Sequence, residues 1–224
     1  VQPHFDYPHA YLADLPSKLT ATGVGRGYRA DEAAEQTPPP RKEVQLRAPL
    51  FEQGEKKLTP AEIGTAHHLF MQFCDFDVAC APNGVENELN RLAEKKILST
   101  EQAHAVDKRK IERFFASDLY KTFMAENKVR REFKFSVLVP AQAYFPVAAD
   151  APEENVLLQG VIDCLIETRD GFVILDFKTD RIKKGGAVER AEQYRPQLAA
   201  YARAVHEIYG RPVRACVLYF FHTG

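Results

Sequence analysis

The sequence has little excess charge and no long hydrophobic run. Its 224 residues include 30 basic and 31 acidic side chains, which gives a net charge of -1 at pH 7. No apolar stretch approaches the roughly 18–20 residues that a membrane-spanning helix needs, and no signal-peptide pattern stands at the start. We therefore expect a cytoplasmic protein with no membrane partner. The balanced charge also counts against a nucleic-acid partner, unless a basic surface is local.

Cysteine is scarce and is not arranged for metal binding. The four cysteines are Cys74, Cys80, Cys164 and Cys216, and no two of them form a C-x-x-C pair. Zinc and iron–sulfur sites need tighter spacing, and a chain without an export signal is not expected to form disulfides. The sequence thus predicts no iron–sulfur cluster, and we interpret the cysteines as small buried hydrophobic residues.

Residues 1–40 differ in composition from the rest. A glycine-rich stretch at 23–27 is followed by acidic residues and a proline run at 38–40, and neither composition favours a packed element. We interpret 1–40 as a linker or an edge segment of something larger, and 41–224 as the domain. Because the chain starts at Val1 rather than at Met, we expect it to be a piece of a longer polypeptide.

The rest of the sequence predicts helices followed by strands. Thr59 to Glu62 is a capping box with proline at the first helical position, which predicts a helix start. Periodicity and capping predict further helices over 85–97, 100–126 (with a break near Ser117) and 190–209. Alternating and β-branched residues predict strands over 130–139, 156–168, 172–179 and 213–221. This order indicates an α/β or α+β fold in which a mixed central sheet is flanked by helices.

The two middle predicted strands form a hairpin that places two acidic residues and a lysine close together. Asp170-Gly171 is a strong signal for a two-residue turn. That turn would place Asp163 directly opposite Lys178, with Asp176 diagonal to Asp163 on the same face. A slip by one residue would send these side chains to different faces.

Two carboxylates and an ammonium would then meet among apolar residues. Their neighbours on this face are Val161, Leu165 and Ile174. Burying two acidic groups is costly unless cations compensate, and Mg²⁺ and Mn²⁺ prefer carboxylate oxygens. The alternative is a structural Asp–Lys pair across two strands, which contributes little to stability when it is exposed.

Five motifs in order along the chain resemble one known family. They are Gly64-x-x-x-His68 followed by Gln72, Arg131-Glu132-Phe133, Gly160-Val161-Ile162-Asp163, Asp176-Phe177-Lys178-Thr179-Asp180, and Tyr194-Arg195-Pro196-Gln197-Leu198-Ala199-Ala200-Tyr201-Ala202. Together they resemble the PD-(D/E)XK nuclease superfamily in its RecB-type branch. The last motif and the segment Pro16 to Thr22 are similar to the AddA-type subunits of bacterial AddAB helicase–nucleases.

The resemblance implies a restriction-endonuclease-like fold and a site that binds Mg²⁺ or Mn²⁺. It implies that His68, Asp163 and Asp176 ligate the metal, together with the backbone carbonyl of Phe177. Lys178 would orient or activate the attacking water. The residues implied to have supporting roles are Gln197 and Tyr201, which would position the DNA backbone or the lysine, and Glu132. His67 is a rival for His68, but only His68 fits the G-x-x-x-H spacing.

The resemblance also implies a biological setting. It predicts an exonuclease-type hydrolase domain of a helicase–nuclease that acts on DNA in double-strand break repair and recombination. No G-x-x-x-x-G-K-[ST] sequence occurs here, so the helicase part would lie elsewhere in the same polypeptide or in a partner. The resemblance also implies an AddB-like partner subunit. The alternatives are a non-catalytic DNA-binding module and a stand-alone nuclease of the same superfamily.

Overall fold

A computed structural model describes residues 12, 15–24, 58–151, 153–183 and 185–223. The chain divides into two compact units. The first unit contains Val1–Pro40, Lys134–Val161 and Arg195–Gly210, and the second contains Arg41–Phe133, Ile162–Tyr194 and Arg211–Gly224. Most of the predicted linker, 1–40, lies outside the described residues.

Short helices make up the first part of the second unit. They are α1 (Pro60–Phe73), α2 (Phe76–Ala79), α3 (Gly84–Glu94), α4 (Thr100–Ala105) and α5 (Lys108–Ala116), followed by a π-helical turn (Tyr120–Met124). Both predicted capping boxes are present, at Thr59 and at Ser99. The predicted helix over 100–126 is wrong in one respect, because the chain is extended at Val106 as well as at Ser117.

The strands are β1 (Lys18–Thr20), β2 (Lys128–Pro140), β3 (Asn155–Thr168), β4 (Gly171–Lys178) and β5 (Val213–Phe220). They form a mixed sheet in the order β1-β3-β4-β5, with β2 also paired to β3. The β3–β4 pair is antiparallel, whereas β1–β3 and β4–β5 are parallel. A long helix, α6 (Ala187–Tyr209), connects β4 to β5 and ends at Gly210, whose φ is +61°. The predicted mixed sheet flanked by helices is confirmed.

The β3–β4 hairpin has a different register from the predicted one. Thr168 pairs with Gly171, so the turn consists of Arg169 and Asp170 rather than Asp170 and Gly171. The register is therefore two residues away from the prediction. The observed ladder ends at Cys164 and Leu175, and the next pair in this register is Asp163 with Asp176. Because side chains alternate with a period of two, the shift keeps the predicted face and changes only the partner.

The core of the second unit lies between its helices and one face of the sheet. From the strands it takes Cys164, Val173, Leu175 and Phe177, and from the helices large side chains such as Phe114. Two of the cysteines, Cys74 and Cys164, are buried here as predicted. The prediction is wrong for Cys80, which is exposed.

The described part of the first unit contains β1, which was not predicted. Its Leu19 is buried, and the strand pairs with residues 157–159 of β3. Residues 18–20 are therefore a strand of the sheet, and the interpretation of 1–40 as a linker or an edge segment stays a prediction. Across the described ranges, no helix is both long enough and apolar enough to cross a membrane.

Candidate active site

The two predicted carboxylates lie side by side at the end of the β3–β4 ladder. The backbone N–H of Phe177 donates a hydrogen bond of 2.7 Å to Asp163 Oδ2. This bond fixes the Asp163 side chain against β4, next to Asp176. The face opposite the hydrophobic core thus carries two adjacent acidic groups, as the alternation of side chains requires.

Asp176 is buried, with an exposed fraction of only 2%. Lys178 Nζ lies 2.5 Å from its Oδ2 atom and forms an ion pair with it, and no other group among the described residues bonds to this buried oxygen. Burial and the neighbouring charge of Asp163 raise the pKa of Asp176 to about 6, although Lys178 opposes the shift. A carboxylate held in this way is a ready acceptor for a further cation.

His68 reaches the same carboxylates from α1. Its Nδ1 atom lies 3.5 Å from Asp163 Oδ2. Burial acts to lower the pKa of His68, but the contact with Asp163 and the charge of Asp176 outweigh it, and the pKa is raised. His68 therefore belongs to the electrostatic environment of the acidic pair.

His67 is occupied elsewhere. Its Nδ1 atom lies 2.8 Å from the carbonyl oxygen of Ile63, and its Nε2 atom accepts the backbone N–H of Asp107 at 3.2 Å. Burial is the main reason that its pKa is lowered, which agrees with a neutral ring that donates through one nitrogen and accepts through the other. His67 is thus a structural residue that joins α1 to the start of α5.

Gly64 permits the close approach of α1 to the site. A Cβ atom at this position would lie 2.8 Å from Oγ1 of Thr179, the residue that follows β4. The helix can therefore pack against the end of the strand that carries Asp176 and Lys178. His68 follows one helical turn later on the same face of α1. The spacing Gly64-x-x-x-His68 has this physical basis.

Glu132 adopts an unusual backbone conformation in β2. Its φ is +50°, in the left-handed region, which for residues other than glycine costs on the order of 1–3 kcal/mol and often marks functional sites. Burial is the main reason that the pKa of the Cys164 thiol is raised, and the charges of Asp163 and Glu132 add to this shift. The charge of Glu132 thus acts on the strand position next to Asp163.

Gln197 and Tyr201 form a buried pair in the first unit. Gln197 Nε2 donates a 2.6 Å hydrogen bond to the Tyr201 hydroxyl, and the Tyr201 ring makes an edge contact with Phe135 at 5.9 Å between centroids. Their predicted role in positioning DNA or the lysine stays a prediction.

The sequence analysis assigned no role to Tyr194, which contacts Lys178, or to Asp180 and Arg190, which contact Tyr194. The Tyr194 ring lies under the Lys178 ammonium, 4.3 Å from Nζ to the ring centroid. The Tyr194 hydroxyl donates to Asp180, and Arg190 contacts both Tyr194 and Asp180. The spacing of Arg190 and Tyr194, one helical turn apart, was a signal that they share a face.

Comparison with known proteins identifies the family. Residues 41–223 match the PD-(D/E)XK nuclease superfamily. The chain belongs to this superfamily. The match covers α1 with His68 and the β3–β4 hairpin with both carboxylates, so the residues gathered in the second unit are those of a nuclease domain.

Several curated relatives are similar to almost the whole chain. Proteins named as ATP-dependent helicase/nuclease subunits share 40% identity in Moorella thermoacetica, 38% in Desulforamulus reducens and 35% in Clostridium botulinum. The alignments cover 97%, 98% and 97% of this chain but only 15%, 18% and 17% of the respective relatives. The chain thus corresponds to a small part of much longer proteins.

Nucleases of this superfamily generally use divalent metals, and the residues present fit such an ion in chemical kind. Asp163 and Asp176 supply carboxylate oxygens, one of them buried with Lys178 as its partner among the described residues, and His68 supplies an imidazole. Within the described ranges, no three His, Cys, Asp or Glu side chains are arranged as a ready-made ligand cluster. Asp163 and Asp176 instead face Phe177 N–H and Lys178.

Proposed function

We propose that this chain is a Mg²⁺-dependent nuclease domain that hydrolyses phosphodiester bonds of DNA in an exonuclease-type reaction. The observation that carries the proposal is the buried carboxylate of Asp176, which is paired with Lys178 and lies beside a second carboxylate, that of Asp163. A structural Asp–Lys pair would not need a second, partly buried carboxylate beside it. Two adjacent acidic groups with one lysine leave a negative charge that a divalent cation compensates.

The proposed metal ligands are His68, Asp163 and Asp176, with the backbone carbonyl of Phe177. Mg²⁺ is the expected ion, and Mn²⁺ is an acceptable substitute because imidazole is among the ligands. When bound, the ion supplies Lewis-acid polarisation of the phosphoryl oxygen and a bound water of lowered pKa.

The remaining proposed site residues bind or orient the DNA, the attacking water and the metal ligands. The Lys178 ammonium, held beside Asp176, donates to the attacking water or to a phosphate oxygen and offsets charge that develops on the phosphate. Glu132 supports the metal ligands indirectly from β2. Gln197 and Tyr201 position the DNA backbone.

The wider setting is proposed from the relatives. Their names describe ATP-dependent helicase/nuclease subunits, which supports a nuclease domain within a helicase–nuclease that acts in DNA double-strand break repair and recombination. The partners would then be DNA, a helicase part of the same polypeptide and an AddB-like protein. The expected cytoplasmic location stays a prediction.

The test is cleavage of end-labelled single-stranded DNA with Mg²⁺, Mn²⁺ or EDTA. We expect the parent chain to cut DNA only with metal. Asp176→Ala and Lys178→Ala should each lower the rate by roughly 10²–10³-fold or more, because each removes a preorganised charge at the reacting phosphate.

Matched controls remove one acidic side chain and one lysine side chain at exposed positions. Glu94→Ala and Lys121→Ala, both on solvent-facing helical positions, should cut like the parent. Circular dichroism should show that every variant is folded. An Asp176→Ala protein that cuts as fast as the parent would overturn the site assignment. DNA binding without cleavage by the parent would instead favour a non-catalytic DNA-binding module.

A further inference from the structure

The Lys178 ammonium has two partners in the second unit. Its Nζ atom lies 2.5 Å from Asp176 Oδ2 on one side and 4.3 Å from the centroid of the Tyr194 ring on another. Only 15% of the lysine side chain is exposed. The ammonium therefore sits between a carboxylate and the face of an aromatic ring.

Tyr194 is itself held in place. Its hydroxyl donates a 2.7 Å hydrogen bond to Asp180 Oδ2, while Arg190 Nη2 lies 2.8 Å from Asp180 Oδ1 and 3.1 Å from the Tyr194 oxygen. Phe220 of β5 contacts the Tyr194 ring at 6.4 Å between centroids. The tyrosine is thus tied both to the segment after β4 and to the neighbouring residues of α6.

The protonation states agree with this arrangement. Burial, followed by the hydrogen bond to Asp180, raises the pKa of Tyr194 to about 12, so the phenol remains a donor at neutral pH. Burial acts to raise the pKa of Asp180, but the hydrogen bonds from Arg190 and Tyr194 outweigh it, and the pKa is lowered. Asp180 is therefore an ionised acceptor for both neighbours.

An aromatic face suits a lysine that has to serve a reaction. Lysine has a long, flexible stem, and a single carboxylate partner leaves several positions open to its ammonium. A ring attracts the positive charge through its quadrupole without accepting a strong directed N–H bond. The ammonium is thereby restrained, and it keeps donors for a phosphate oxygen or a water.

We propose that Tyr194, held by Asp180 and Arg190, is the residue that positions Lys178 for phosphodiester hydrolysis. The inference rests on the proposed nuclease function. It assigns to Tyr194 the lysine-positioning role that the sequence alone left with Gln197 and Tyr201. Tyr194 acts through Lys178 and is a positioning residue rather than a catalytic one.

The first measurement detects the contact without any cleavage. In the 224-residue chain labelled with ¹³C at lysine Cε, a lysine above an aromatic ring gives a resonance shifted by the ring current. Lys178→Met should remove this shifted signal and so assign it. Tyr194→Leu should move it to the position of ordinary lysines, whereas Tyr194→Phe should keep it shifted because the ring remains.

The second measurement is steady-state cleavage of end-labelled DNA by the same proteins. Tyr194→Leu should lower kcat by roughly 10²-fold, the scale expected for a misplaced reacting group, and should change KM by less than about twofold. The kcat of Tyr194→Phe should stay within roughly tenfold of that of the parent, because this variant keeps the ring and loses only the hydrogen bond to Asp180. The matched control is Tyr144→Leu, which removes another tyrosine whose ring faces a cation, the guanidinium of Arg203 at 5.9 Å. It should leave kcat unchanged.

The outcomes separate the two proposals. If the parent cuts DNA and Tyr194→Leu cuts equally well, the positioning role is overturned while the nuclease function stands. The positioning role is also overturned if Tyr194→Leu leaves the lysine spectrum unchanged, or if KM rises in place of a fall in kcat. If the lysine signal responds as expected but the parent does not cut DNA, it is the nuclease function that fails.

Discussion

At the scale of single residues, two adjacent histidines have opposite surroundings. His67 uses both ring nitrogens within the protein, one toward Ile63 and one toward Asp107. His68 faces the carboxylate of Asp163. Consecutive helical residues point about 100° apart, so a histidine doublet divides naturally between the core and a site.

This difference predicts that replacing His67 by alanine lowers stability, whereas replacing His68 by alanine lowers DNA cleavage. His67→Ala should lower the free energy of unfolding by about 2 kcal/mol, because it leaves the Asp107 N–H without its acceptor. His68→Ala should change stability by no more than about 0.5 kcal/mol but should abolish most of the cleavage. Urea denaturation and DNA cleavage measure the two effects. The assignment of the ligand is wrong if His68→Ala cuts normally.

The sequence could predict the site residues that belong to a motif, but not a residue whose role depends on a tertiary contact. Spacing singled out His68, Asp163, Asp176 and Lys178, and the structure brings them together in the second unit. Tyr194 was missed as a partner of Lys178 because their contact depends on how α6 packs beside the end of β4. No local pattern in the sequence records that packing.

At the scale of the elements, the hairpin shows why a wrong register preserved the right face. The Asp170-Gly171 signal predicted a turn at residues 170–171, whereas the observed turn is at residues 169–170. The predicted partner of each β3 residue was therefore two residues too far along β4. Because side chains in a strand alternate with a period of two, such an error leaves each residue on the correct face of the sheet but gives it the wrong cross-strand partner. Asp163 thus lies beside Asp176, where Lys178 was predicted.

The packing of α1 on the end of β4 gives a prediction about Gly64. Gly64→Ala places a methyl group 2.8 Å from Thr179 Oγ1, so either the Thr179 side chain must rotate or α1 must move away and take His68 with it. We expect cleavage to fall by roughly 10-fold or more, since small displacements of reacting groups are costly. DNA cleavage by the purified variant is the measurement.

The partner substitution makes this prediction specific. In Gly64→Ala/Thr179→Ala the obstructing hydroxyl is absent, so cleavage should recover toward the level of Thr179→Ala alone. A double variant that is no better than Gly64→Ala would show that the loss has another cause, such as a change in the helix itself.

At the scale of the whole molecule, one buried carboxylate links stability to pH. Glu88 of α3 accepts hydrogen bonds from Arg91 and from the backbone N–H of Asp75. The hydrogen bonds from Arg91 are the main reason that its pKa is lowered, with burial opposing and Asp75 assisting. Arg91 also donates to the carbonyl of Phe73, so this cluster joins the end of α1 to α3.

The sign of the effect follows from the lowered pKa. The stabilising contribution of Glu88 is complete above about pH 4.3, the ordinary glutamate pKa, and is lost as the pH falls through the lower pKa of the folded state. Glu88→Gln should therefore lower the free energy of unfolding by about 2 kcal/mol at pH 7, and the difference from the parent should shrink below about pH 4. Urea titrations across this range measure it.

The control for this prediction lies on the same helix. Glu86 forms an exposed ion pair with Lys108, and Glu86→Gln should cost less than about 1 kcal/mol at any pH. If Glu88→Gln lowers the free energy of unfolding equally at every pH, the shape of the Glu88 side chain rather than its charge accounts for its contribution to stability.

The fold class could be predicted from the sequence because the helices have clear periods and caps and the strands have clear alternation. The break at Val106 could not, because it depends on a distant partner. The Asp107 N–H bonds to His67, 40 residues earlier, and that bond accompanies the departure from helical geometry. The edge strand β1 was also missed, since its three residues gain their order from pairing with β3.

The position of β4 between β3 and β5 has a consequence during synthesis. β4 leaves the ribosome before α6 and β5, and at typical rates the 42 residues from Lys178 to Phe220 take about 2–8 s to translate. For that time β4 has an open edge with the apolar run Phe172 to Leu175, a pattern that invites aggregation. Asp176 and Lys178 interrupt this run with charge and so act as gatekeepers of the nascent chain. If the proposed function is correct, the same two side chains limit aggregation of the nascent chain and later take part in the hydrolysis.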